Sequence, residues 1–297
     1  VTRLDTKRSY IDRVSSYPKN IEIRHVKTYA ASRAPSNGAV GSISVEMSNS
    51  MILLPKVPMK RRYADQRVGW FARSQVDYGL EDQRSKSVRY LDRWRLEVKD
   101  EDIAKFKRGE LVEPKKQIVY YIDRATPVKW RKYLKEGIED WQKAFEVAGF
   151  KNAIIAKDPP SKEEDPDWSP EDARYSVVRY LASPIPNANG PHVSAHEVGH
   201  TLGLPHNMGS SVAYPVDSLR SASFTKKYGT APSIMDYARF NYVAQPEDKG
   251  VALMPDIGPY DKHSINWGYR PILNTSAKDE KATLDKWIIE KAGNPMY

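Results

Sequence analysis

The sequence predicts an α+β fold in which a β-rich N-terminal region, residues 1–116, precedes a second domain, residues 117–297. Two observations support this prediction. Several segments before residue 116 alternate apolar and polar side chains with the period of a strand. After residue 116, an apolar strand pattern is followed by a long helical apolar stripe. The first region is therefore expected to be mostly sheet, and the second to combine a sheet with helices.

Composition limits the class of protein. With 297 residues, 40% of them hydrophobic, the chain can bury one large core or two smaller ones. No apolar run approaches the roughly 20 residues of a membrane span, so none is expected. The start Val1-Thr2-Arg3 has no signal-peptide pattern, which suggests an excised or processed segment. The absence of cysteine fits either a reducing cytosol or an exported protein without disulfides.

The net charge of +9 is concentrated in the N-terminal region, because residues 1–116 carry 25 basic and 15 acidic side chains. The densest basic cluster, Lys56–Arg62, is expected to be an exposed loop. No finger, helix-turn-helix or stacking-aromatic motif accompanies the charge, so no nucleic-acid partner is expected. An anionic partner and a solvated face both remain open. The sequence leaves the oligomeric state open.

The N-terminal region opens with a predicted short helix, Asp5–Ser16, whose apolar stripe contains Tyr10, Ile11 and Val14. Strand patterns follow in four segments: 21–26, 40–54, 67–71 and 88–98. The first two predict an antiparallel hairpin. The charged segment Lys99–Lys116 has the composition of a linker.

The second domain begins with a buried-type strand, Ile118–Ile122. Thr126 and Pro127 are typical of a capped helix start, and the apolar stripe that follows predicts a helix of five turns ending at Gly149. Two further strands are predicted at 153–156 and 175–181, and later helices at 218–227, 259–269 and 279–292.

Residues 196–206 read HEVGHTLGLPH and form the most specific motif in the chain. On a helix, residues four apart lie on one face, so His196 and His200 can share a cation. Glu197 is offset by one residue, which directs its carboxylate past the metal towards a water molecule. It is therefore better placed as a general base than as a ligand.

His206 is the predicted third ligand, but only if the helix ends before it. In a continuous helix His206 would point about 120° away from His200 and lie roughly 9 Å further along the axis. Gly203 and Pro205 form a stop signal at the required place. Three neutral imidazoles leave the fourth position of a tetrahedral Zn²⁺ open, as in catalytic sites.

This stretch resembles the signature of the metzincin clan of zinc peptidases, and the chain most resembles large bacterial exported zinc-dependent metalloproteases. Met235 in the segment Ser233–Tyr237 resembles the Met-turn of the clan. The resemblance implies a twisted mixed sheet, a long backing helix, an active-site helix and an irregular C-terminal subdomain. It divides the domain into an upper part, 117–204, and a lower part, 205–297. Tyr237 is placed like the tyrosine that some metzincins use as a ligand or oxyanion donor, although a packing role stays open.

The implied function is a zinc-dependent endopeptidase with one catalytic Zn²⁺ and a protein or peptide substrate. Peptide bonds would be hydrolysed through a zinc-activated water, with Glu197 as general base and acid. The alternative is a zinc-containing binding module with little or no proteolytic activity. The resemblance also implies a location in the bacterial periplasm, at the cell surface or outside the cell. Substrate preference cannot be read from the chain.

The chain departs from the metzincin pattern in two places. Asn207 replaces the family-specific residue that usually follows the third histidine. In addition, only Ala182–Val193 separates the third strand from the active-site helix. The prolines and the glycine in this segment make the two further metzincin strands, one of them the substrate-binding edge strand, improbable. Zinc binding with slow peptide turnover is therefore expected. His192 is predicted to be a helix-end residue rather than a ligand, and His263 a surface residue.

Overall fold

A computed structural model describes residues 3–35, 38–79, 81–182, 184 and 190–297. The chain divides into two compact units. The first unit comprises Val1–Pro58 and Pro160–Val177, and the second comprises Met59–Pro159 and Val178–Tyr297. Strands dominate the N-terminal part and helices the C-terminal part, which confirms the α+β prediction. Among the helices of the described residues, none combines the length and the apolar character that crossing a membrane requires.

The first unit contains an antiparallel sheet of three strands: β1 (Leu4–Ser16), β2 (Asn20–Ala30) and β3 (Ser42–Ile52), in the order β1-β2-β3. The predicted hairpin is confirmed, since β2 and β3 pair without interruption from Asn20↔Ile52 to Ala30↔Ser42. The alternating pattern therefore identified both strands.

The predicted helix Asp5–Ser16 is wrong, because these residues lie in β1 and pair with β2. Pro18, which follows the segment, lies in a tight turn where the Tyr17 N–H donates to the Asn20 carbonyl at 2.8 Å. Tyr10 and Ile11 are exposed. Pairing with a neighbouring strand, rather than burial of an apolar stripe, decides the structure of this segment.

The N-terminal part of the second unit forms a hairpin of β4 (Ala72–Asp77) and β5 (Lys86–Leu91). The prediction of strand over 67–71 is wrong, and the predicted strand 88–98 ends at Leu91. The segment predicted as a linker contains a 3₁₀ turn and a short helix, α1 (Ile103–Lys107). Phe106 of α1 is buried in the core, which ties this segment to the unit.

The division between the units falls after Pro58, whereas the sequence placed the domain boundary after residue 116. Residues 59–116 pack with the rest of the second unit through polar as well as apolar contacts. The buried Arg62 donates to the Glu280 carboxylate at 2.9 Å and to the backbone carbonyls of Trp267 and Arg270. These partners are distant in sequence, so composition gave no sign of them.

The central sheet contains β6 (Ile118–Ile122) and β7 (Ile154–Lys157), which are parallel. On the other side of β6, the Asp123 N–H donates to the carbonyl of Val178, the last residue of β8 (Ser176–Val178). The described residues of this sheet form three strands, in the order β7-β6-β8. The segment in which two further metzincin strands were judged improbable includes residues 183 and 185–189, which lie outside the described residues.

The predicted long helix consists of two helices, α2 (Val128–Glu139) and α3 (Gln142–Val147). Asp140 and Trp141 keep helical backbone angles, and i→i+3 hydrogen bonds tighten the chain there. The predicted cap by Thr126 is not made, because its hydroxyl has no partner among the described residues.

Among the described residues, the second unit also contains the α-helices α4 (Pro191–Thr201), α5 (Ala222–Tyr228), α6 (Pro259–Tyr269) and α7 (Glu280–Ile289). The prediction that His263 lies on the surface is wrong, because its side chain is buried on α6 and packs edge-on against Tyr297. Burial, with a smaller contribution from the Lys291 charge, lowers the pKa of His263 to about 4.

Candidate metal centre

Two contacts fix the helix that carries the HExxH motif. A Cβ atom at Gly137 of α2 would lie 2.2 Å from the Pro191 carbonyl oxygen, so only glycine permits this close crossing of α2 and α4. The buried Trp141 donates from Nε1 to the Ala195 carbonyl at 2.8 Å. Both contacts hold the N-terminal half of α4. His192 lies in this half and is not part of the cluster of three histidines.

The predicted turn after the helix is present. Gly203 has φ +108°, a conformation that favours glycine, and a Cβ atom there would lie 2.3 Å from the Asp92 carbonyl oxygen. The Leu204 N–H donates back to the Gly199 carbonyl at 3.0 Å, which closes the helix end. The reversed chain returns His206 to the face that carries His196 and His200.

The structure brings the three predicted histidine ligands together, with one ligand atom from each ring lying within 4.8 Å of the others. His196 Nδ1 lies 2.8 Å from the Ile234 carbonyl, and His200 Nδ1 lies 2.8 Å from the Leu204 carbonyl. A carbonyl oxygen only accepts, so both Nδ1 atoms carry a proton, and in the neutral rings both Nε2 atoms present a lone pair.

The Nε2 atoms provide the test of whether a metal fits. His196 Nε2 is buried and has no partner among the described residues. His200 Nε2 lies 3.1 Å from His206 Nε2, a pair that requires a proton or a cation between the two nitrogens. Burial lowers the pKa of His196 and so favours the neutral ring that binds a metal. The three rings therefore fit a metal ion.

Met235 packs against α4, the helix that carries His196 and His200. Its side chain is buried, and its sulfur lies directly against Gly199 of α4. Its backbone carbonyl accepts a hydrogen bond from the Asn207 N–H at 3.0 Å. The turn thus contacts both the helix that carries two of the histidines and the residue that follows the third.

Asp261 supports this turn and was not singled out as a site residue from the sequence. Its buried carboxylate accepts hydrogen bonds from Ser233 Oγ at 2.6 Å and from the N–H groups of Ile234 and Gly258, both at 2.8 Å. Burial outweighs these donors and raises the pKa of Asp261 to about 7. The Asp261 carboxylate thereby holds the same peptide segment whose Ile234 carbonyl orients His196.

The side chains of the two predicted catalytic residues, Glu197 and Tyr237, are exposed to solvent. Glu197 is exposed at the helix position after His196. Tyr237 is 51% exposed, and its hydroxyl lies 2.9 Å from His206 Nε2. Tyr237 can therefore reach the proposed ligand atom of His206, while the catalytic roles of both residues stay predictions.

No sequence motif indicated the further residues that lie beside His200. The Phe71 ring lies 6.0 Å from the His200 ring, and the Phe71 N–H donates to the Gly203 carbonyl at 2.8 Å. Trp94 donates from Nε1 to the Thr201 carbonyl at 3.0 Å. A cavity of about 670 Å³ opens between these elements beside His200.

Comparison with protein families gave two matches. Residues 191–297 match the model of a family described as Met-zincin, and residues 1–99 match a family described as a domain of unknown function. No match was found among curated proteins or solved structures. The C-terminal part of the chain is therefore a Met-zincin domain. Its triad of His196, His200 and His206 is compatible with a metzincin zinc site, which confirms the resemblance to the metzincin clan.

Proposed function

We propose that this protein is a zinc-dependent endopeptidase. The observation that carries the proposal is the convergence of three imidazole rings, in two of which a backbone carbonyl engages Nδ1 and leaves Nε2 as the available ligand atom. Such a set of neutral nitrogens suits zinc and leaves a coordination position open. When bound, Zn²⁺ would polarise a peptide carbonyl and make water more acidic.

Glu197 is the proposed general base and acid. Its carboxylate takes the proton of the attacking water and then delivers that proton to the nitrogen of the leaving amine. Its exposure on the open side of the helix supports this role, because the proton has to pass to a substrate that enters from solvent. Tyr237 is proposed to donate its hydroxyl hydrogen to the oxygen of the scissile carbonyl as negative charge develops there.

Replacing Glu197 with Gln tests the mechanism. The amide keeps the size of the side chain but cannot accept the proton, so casein cleavage should fall by roughly 100-fold to 10,000-fold. The zinc content should stay at one ion per chain, because Glu197 is not a proposed ligand. The role of Glu197 would be refuted if the zinc-loaded Glu197→Gln variant cleaved casein as fast as the wild-type chain.

The competing function is a zinc-containing binding module. The excess of basic side chains in residues 1–116 supports it, because such a region attracts anionic partners. Both functions predict one zinc ion per chain, but only the peptidase requires an open coordination position. If the wild-type chain cleaves casein only when zinc is bound, the protein is a peptidase and not a binding module.

Export to the bacterial periplasm, the cell surface or the medium forms the last part of the proposal. The absence of cysteine fits export, because the chain has no thiol that an oxidising compartment could oxidise. Fractionation of cells that express the native gene, followed by immunodetection, tests it. Recovery of the protein in the cytoplasm alone would refute it.

A further inference from the structure

One edge of the β4–β5 hairpin is unpaired beside the candidate metal centre. In β5, the Leu91 N–H donates to the Arg62 carbonyl and the Arg89 carbonyl accepts from the Ala64 N–H, both at 2.9 Å. The backbone groups of residues 89 and 91 thus point away from β4. Because successive residues of a strand point their N–H and C=O groups to opposite sides, residues 86, 88 and 90 bond to β4.

The register then identifies which groups of β4 are free. Residues 86, 88 and 90 pair with residues 77, 75 and 73, so the N–H and C=O groups of Ala72, Ser74 and Val76 point to the outer edge. Within the part of the chain that the structure describes, no hydrogen bond to these outward groups is present. The side chains of Ser74 and Val76 are exposed, so the edge is open to solvent.

The position of this edge suggests its occupant. The strand begins next to Phe71, whose N–H is bound to the Gly203 carbonyl at the end of the active-site helix. Ala72 lines the same cavity of about 670 Å³ as His200. An extended peptide paired with β4 from Ala72 to Val76 would cover roughly 15 Å at about 3.4 Å per residue. One end of that peptide would lie beside His200.

We propose that β4 is the substrate-aligning strand of this protein, and that it binds an extended peptide segment through the outward backbone groups of Ala72, Ser74 and Val76. The inference rests on the proposed peptidase function. It assigns substrate alignment to a strand outside the Met-zincin match, within residues 1–99. Backbone pairing with an exposed edge is a general mode of peptide binding that is tolerant of sequence.

The test uses the zinc-loaded full chain with Glu197→Gln, which prevents turnover, and fluorescein-labelled β-casein as the extended probe. Ser74→Pro removes one outward N–H while leaving the pairing with β5 intact, since proline is tolerated on the outer side of an edge strand. Ser87→Pro is the matched control, because Ser87 pairs with Val76 and its N–H points to the far side of β5. Zinc content and circular dichroism verify that both variants fold.

Ser74→Pro should weaken casein binding, measured by fluorescence anisotropy, by roughly 5-fold or more, and Ser87→Pro should leave it unchanged. Casein should also slow hydrogen exchange at the amides of Ala72, Ser74 and Val76. Equal affinities of the two variants, absence of casein binding, or unchanged exchange in β4 would overturn the proposal. Cleavage by the parent chain without protection of β4 would refute the pairing alone. Protection of β4 without any cleavage would support the pairing and refute the peptidase function.

Discussion

The two sides of the candidate metal centre are built differently. On the rear side, Met235 and Asp261 are buried, and hydrogen bonds connect Asp261 through Ile234 to the His196 ring. On the front side, Tyr237 is half-exposed and the outer edge of β4 faces solvent. The difference indicates that the buried rear side orients the histidine ligands, while the exposed front side leaves access for a substrate.

Replacement of Gly137 with Ala should have the largest effect, because it disturbs the crossing of α2 and α4 on the rear side. The new methyl group would meet the backbone of Pro191 at 2.2 Å, and backbone cannot move aside as a flexible side chain can. We expect the free energy of unfolding to fall by about 3 kcal/mol in urea titrations, with weaker zinc binding. Gly209→Ala is the control, because a Cβ atom there would meet nothing within 4 Å. Equal stability of the two variants would contradict the tight crossing of α2 and α4.

Asp261→Asn tests the support of the Met-turn through its pH dependence. The folded pKa of Asp261, about 7, lies above the unfolded value of 3.8, so the folded protein holds a proton that the unfolded chain has released. This contribution to stability is complete below pH 3.8 and is lost as the pH rises through 7. Asparagine does not titrate. Between pH 5 and pH 8 the free energy of unfolding of wild type should therefore fall by roughly 3 kcal/mol relative to that of the variant.

Urea titrations of wild type and Asp261→Asn at the two pH values measure this difference, and groups that titrate in both proteins cancel. A constant difference between the two proteins would show that the carboxylate is already ionised in the folded state. The three hydrogen bonds would then outweigh burial, the reverse of the balance described above.

Tyr237→Phe should have the smallest effect on stability, because the hydroxyl lies on the exposed front side. We expect the free energy of unfolding to change by less than about 1 kcal/mol, with zinc content unchanged. The kcat for casein should fall while KM stays the same, since the proposed hydrogen bond forms only as charge develops. An unchanged kcat would assign Tyr237 a packing role.

The sequence predicted the parts of the site that depend on local geometry. His196, His200 and His206 lie within one short stretch, so helical spacing and the Gly203 turn determine their arrangement. Phe71 could not be predicted to lie beside His200, because their contact depends on how distant segments pack. The helix predicted over Asp5–Ser16 failed for the same reason, since pairing with β2 decides its structure.

The proposed function requires that His196, His200 and His206 hold a zinc ion with one coordination position open. Metal analysis followed by calorimetric titration with acetohydroxamate, which chelates an open zinc site, tests it most directly. We expect one zinc ion per chain, one bound hydroxamate per zinc, and the loss of both when His200 is replaced by Ala. A chain that binds one zinc ion but no hydroxamate would have a closed site, and this result would refute the proposed peptidase function.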